Sequence, residues 1–138
     1  MRNLKFYRCL LALTIALTVA FSFNSCSTSS SSPGDSVVKL YDLMKANQTA
    51  KVAAMYVSDK GEKFSEAESK KIEGLAAMAA EEWNKKDGLK NIEITEESID
   101  EEGNSAKVKF ITNFNNGDSK NEKAKLIKID GKWFVKIT

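Results

Sequence analysis

The chain has 138 residues, 42% of them hydrophobic and 29% charged, with a single proline, which suits one globular domain and leaves no room for two. There is no histidine, both arginines (Arg2 and Arg8) precede residue 9, and Cys9 and Cys26 carry the only thiols. Ser/His/Asp and Cys/His nucleophilic sites, histidine or multi-cysteine zinc sites and bidentate arginine clamps for phosphate are thereby excluded. The formal charge of +2 comes from 21 basic against 19 acidic residues, but Arg2, Lys5 and Arg8 stand in an acid-free leader. Without them the balance is 18 against 19, so net charge gives no support for nucleic-acid binding.

Residues 1–25 read as an export signal: a basic start from Met1 to Arg8, an apolar stretch from Cys9 to Phe23, then Asn24 and Ser25. The apolar stretch is about 15 residues long, short of the ~20 that a helix needs to cross a bilayer, which favours a cleaved signal over a permanent span. If Cys9 leaves with the leader, Cys26 remains without a partner in an oxidising compartment. Ser25 directly before Cys26 resembles the lipobox of bacterial lipoproteins, which implies a diacylglyceryl group on the Cys26 sulfur and anchoring by palmitate-like chains. Ordinary cleavage leaving a free thiol is the alternative. Residues 26–32 then form a serine-rich tether, with Ser27, Thr28 and four serines to Ser32 reaching at most about 20 Å.

The domain occupies residues 33–138. Ser32-Pro33-Gly34-Asp35 places a capping hydroxyl, a proline and an acid at helix-start spacing, and Val37, Val38, Leu40, Tyr41 and Met44 recur at helical spacing through Ala46. Asp35-Ser36-Val37 also resembles a three-residue O-glycosylation signal of some Gram-negative bacteria, which would put a sugar on Ser36. Ala50 to Val57 reads as a second short helix. Ser65 with Glu68 opens a long third helix, whose Ile72, Leu75, Ala76, Ala79 and Trp83 form a stripe ending at Asp87-Gly88.

From Leu89 the period changes to two, predicting four strands. An Asp130-Gly131 turn sets Ile129 opposite Lys132 and Leu126 opposite Val135. A three-residue loop at Asn116 to Asp118 sets Val108 opposite Leu126 and Phe110 opposite Ala124, with Trp133 on the same inner face. Ile94 and Ile99, five apart, both face inward only if a bulge lies between them. The outer face then carries Lys109, Lys125 and Lys136 in one row, with Lys107, Lys123 and Lys132 beside them and Ile111, Ile127, Ile129 and Phe134 interleaved. It reads either as a solvated face or as a docking surface, with Lys107, Lys109, Lys125, Lys136 and Phe134 as its contacts. The acidic run Glu93 to Glu102 lacks the glycine-centred alternation of a calcium loop, and no metal or other cofactor is expected.

Helices followed by a curved antiparallel meander resemble the cone of the nuclear transport factor 2-like superfamily. The resemblance is to its small bacterial lipoproteins of unknown function, through the lipobox, Ser32-Pro33, Val37-Val38 with Tyr41, and Asp130-Gly131-Lys132-Trp133. It implies an α+β fold with N-terminal helices on a curved four-stranded antiparallel sheet, lipid-anchored in the bacterial cell envelope on the periplasmic side of the outer membrane. Within that superfamily the cone serves as an isomerase or dehydratase pocket, a small-ligand site or a protein-docking module. The leading expectation is a noncatalytic binding module for a small hydrophobic ligand, with Tyr41, Tyr56, Trp83, Phe110 and Trp133 lining the cone. The alternative is an interaction module using the lysine face, toward an envelope protein or a second copy of the chain. An isomerase needs an inward carboxylate, and Asp42 and Asp59 are the nearest candidates, so no catalytic residue is assigned.

Overall fold

A computed structural model describes residues 32–137; the segment expected to be an export signal, Cys26 and the expected tether through Ser31 lie outside the described residues. The chain order is α1 (Pro33–Lys45), α2 (Thr49–Ala53), β1 (Tyr56–Val57), α3 (Glu66–Asn84), β2 (Leu89–Ile99), β3 (Ser105–Phe114), β4 (Ser119–Ile129) and β5 (Lys132–Lys136). Both expected capping boxes are present. The Ser32 hydroxyl accepts from Asp35 N–H at 3.0 Å while the Asp35 carboxylate accepts from Ser32 N–H, and Ser65 and Glu68 repeat the arrangement at α3. Ser36 is fully buried within α1. The folded domain has no room for a sugar there, and capping accounts for Asp35 without one.

The sheet has five strands in the order β1-β5-β4-β3-β2 rather than four. The added strand comes from the segment expected to finish the second helix. α2 ends at Ala53, and Tyr56 and Val57 pair parallel to Val135 and Lys136. The backbone N–H groups of Val135 and Ile137, on the free edge of β5, donate to Met55 and Val57 carbonyls at 2.9 and 3.0 Å, so edge satisfaction overrides helical propensity here. At the other margin β2 carries the expected bulge: the register slips between Ile94 and Glu96, putting Ile94 opposite Phe110 and Ile99 opposite Ala106.

The β4–β5 hairpin has the expected register, with Asp130 and Gly131 both at positive φ (50° and 77°), as a two-residue primed turn requires. The β3–β4 hairpin is two residues away from expectation: Val108 faces Ala124, Phe110 faces Glu122 and Ala106 faces Leu126. Phe114 N–H donates to the Asp118 carbonyl at 2.9 Å, so the connecting loop is Asn115 to Gly117. A slip of two keeps every side chain on its intended face, which is why the inner and outer assignments survive it.

The core lies between α1 and the concave sheet face, with Val37, Leu40, Val52, Val108, Phe110, Leu126 and Trp133 all nearly solvent-free. From α3 only Ile72 and Ala76 are buried; Leu75, expected on its inner stripe, is 64% exposed. On the convex face the loop between β1 and α3 folds back, because Gly61, at φ 82°, lies against Ile127 and Ile129. It covers part of the apolar half of that face, and Phe134 is only half-exposed.

Candidate functional site

Alternation along β4 points Glu122, Ala124 and Leu126 toward the helices, and β3 contributes Val108, Phe110 and Thr112 to the same face. Leu126 and Val108 are deep. Beside them lies a cleft of about 780 Å³, whose lining includes Leu40, Tyr41, Tyr56, Phe110, Glu122 and Val135 together with Lys107, Lys109, Lys120, Lys123, Lys125 and Lys136. That volume lies within the range of small-molecule sites.

An inward carboxylate therefore exists, and it is Glu122 rather than Asp42 or Asp59, which are both exposed. Glu122 Oε2 accepts the Tyr41 hydroxyl at 2.7 Å and the Thr112 hydroxyl at 2.9 Å, and Oε1 meets the Lys120 ammonium at 2.5 Å. Burial pushes the Glu122 carboxyl up, but Lys120 and the two hydroxyl donors outweigh it and hold the group below the ordinary glutamate value. The Tyr41 hydroxyl is driven far above its ordinary value, first by burial and then by the adjacent carboxylate; Tyr56 is raised by burial and by the Glu122 charge. The site thus holds one fixed anion and two neutral phenols.

The expected lining aromatics divide three ways. Tyr41, Tyr56 and Phe110 line the cleft. Trp83 buttresses it from behind, stacked on the Tyr41 ring at 5.4 Å with an interplanar angle of 12°, while Phe110 meets Tyr41 edge-on at 5.4 Å. Trp83 itself borders a separate hollow of about 530 Å³ with Met44, Ala77 and Leu89. Trp133 lies in the core at 5% exposure, with Lys128 above its ring at 5.5 Å. Helix and loop patterning does not reach Glu122, which stands in a strand. The parity of Glu122 with Ala124 and Leu126 was the signal that would have found it.

On the convex face the lysine row is rearranged by the hairpin register: Lys107 stands directly opposite Lys125, and Lys109 opposite Lys123. Lys109 is paired with Glu96 at 2.7 Å across the β2–β3 ladder. Lys136 lies on the same face beside Val57. Among the described residues no helix is long and apolar enough to cross a membrane.

Helices packed over the concave face of a curved, mainly antiparallel sheet, with a cleft between them, define a nuclear transport factor 2-like domain. The chain belongs to the family described as Domain of unknown function (DUF4878), which matches residues 24–136. Its structure is similar to that of a Campylobacter jejuni protein given the provisional description NTF2-like transpeptidase, with a TM-score of 0.64 and 28% identity over 77% of this chain and 98% of that one. A SEC-C motif containing protein from Rhodopseudomonas palustris shares the fold with a TM-score of 0.56 and 14% identity, covering 79% and 78% of the two chains. No sequence among the curated proteins matches it.

Proposed function

We propose that the chain is an envelope lipoprotein, anchored through Cys26, whose cone binds a small ligand without transforming it. The supporting observation is the state of Glu122. A carboxylate lowered by the donors around it, as Glu122 is, stays an anion and takes up a proton less readily. It is suited to recognition and is a weak proton acceptor. The transpeptidase description belongs to the Campylobacter protein and is not part of this reading, in which the Tyr41 and Thr112 hydroxyls donate to Glu122.

Native mass spectrometry of the membrane-extracted protein tests the binding reading. A retained small molecule that is lost when Ala124→Phe fills the cleft is the expected result, and a protein that never carries such a mass sinks it. The anchor is tested by palmitate labelling, expected in the wild type and absent in Cys26→Ala; labelling that survives the substitution rejects it.

The lysine face favours a second reading, an interaction module for an anionic envelope partner. Like charges directly opposite each other destabilise a sheet, and an acidic partner would relieve Lys107 against Lys125. Amine cross-linking in cells should then trap a partner that the Lys107→Glu/Lys125→Glu variant loses; unchanged cross-links reject the reading.

A further inference from the structure

We propose that the cleft takes a ligand bearing an ammonium group on a short apolar body, with Glu122 as its counter-ion. The inference rests on the small-ligand reading above and adds the chemical class. Glu122 Oε2 is committed to Tyr41 and Thr112, two hydroxyls held by α1 and β3. Its Oε1 has one partner among the described residues, the Lys120 ammonium, and that side chain is 68% exposed while the Glu122 side chain is 21% exposed. A mostly buried anion is therefore balanced by a cation lying in water, where the attraction is weakest. An ammonium entering from the cleft meets the same oxygen in a drier setting and displaces a lysine that loses little by returning to solvent.

Of the six lysines around the cleft, Lys107, Lys109, Lys123, Lys125 and Lys136 stand at convex-face positions by strand alternation, so the charged side chains on the inner side are Glu122 and Lys120. The Tyr56 hydroxyl lines the cleft, feels the Glu122 charge and makes no hydrogen bond among the described residues, so its oxygen is free to accept a second ammonium N–H. The Tyr41, Tyr56 and Phe110 rings supply faces and edges on which cations are favoured over anions, and Leu40 and Val135 complete an apolar wall for the ligand body. A carboxylate ligand is repelled by Glu122. A neutral alcohol satisfies one hydrogen bond and leaves the charge unmatched.

The test uses the full chain in non-ionic detergent and three probes of one size: n-butylammonium, n-butanol and n-butyrate. Binding is read from the amide resonances of Tyr56, Glu122 and Val135. Butylammonium is expected to bind about tenfold more tightly than butanol, with butyrate weaker still. Glu122→Gln is expected to abolish that preference, bringing butylammonium to about the affinity of butanol for the same variant. As a second variant, Lys120→Met removes the competing cation, keeps Glu122 and tightens butylammonium binding several-fold. Butanol or butyrate binding as tightly as butylammonium overturns the cationic class and leaves the cleft reading intact. Resonances that move with none of the three overturn both.

Discussion

Replacing Glu122 with glutamine keeps the outline of the cleft and removes its charge. The side-chain carbonyl can still accept from Tyr41 and Thr112, which lie at 2.7 and 2.9 Å in the wild type. A hydrogen bond to a charged acceptor contributes about 1.5–3 kcal/mol against roughly 0.5–1.5 for a neutral pair, so the two bonds together weaken by about 2 kcal/mol. Glutamine also avoids the cost of burying an anion, which offsets part of that loss and leaves a net destabilisation of about 1 kcal/mol at neutral pH. For a urea dependence near 2 kcal/mol per molar, the unfolding midpoint drops by about 0.5 M. The pH dependence has a definite sign. Glu122 titrates below its ordinary value of 4.5 in the folded state, so folding favours the carboxylate. The stabilisation is complete above that ordinary value and is lost as pH falls through the lower folded one. Urea titrations of both proteins from neutrality down to about pH 3 should therefore converge in acid. A variant as stable as the wild type at neutral pH, or a deficit that stays constant into acid, refutes the charge-based account.

Three further outcomes are expected. Leu126→Ala empties a fully buried position at the centre of the sheet and should cost about 2–5 kcal/mol in chemical denaturation; a loss under about 1 kcal/mol would show that the core is misplaced. Gly61→Ala introduces a Cβ 3.3 Å from Ile127 Cδ1 at a positive φ and should lower stability by about 1 kcal/mol and speed proteolysis within residues 58–64, whereas unchanged cleavage would mean that this loop is not docked on β4. Lys125→Glu converts a like-charge pair with Lys107 into an opposite-charge one and should raise stability by roughly 0.2–1 kcal/mol, less so in high salt; a destabilised variant would contradict the β3–β4 register.

Capping, periodicity and turn chemistry made much of the fold legible. The Ser32 and Ser65 boxes, the Asp130-Gly131 turn and the bulge between Ile94 and Ile99 are short-range patterns whose physics is written in neighbouring residues. What failed depended on distant partners. Tyr56-Val57 becomes a strand only because the edge of β5 is available to it, and Leu75 stays outside although its spacing suits the inner stripe. The hairpin closed by Phe114 and Asp118 differs from its expected register by two, a choice that hydrophobic alternation cannot make because both versions bury the same faces. The site was half legible for the same reason. Aromatic residues at core spacing identified Tyr41, Tyr56 and Phe110, but the polar centre on which Tyr41 converges lies 81 residues further along the chain.

The long outermost strand, β2, has one side open to water, where an exposed ladder could recruit the same strand from another copy. Its slip at Thr95 interrupts that ladder, and a parallel in-register union would set Glu93, Glu96 and Glu97 against their counterparts. The strand that would otherwise be the most adhesive edge of the fold is thereby a poor template for a second copy.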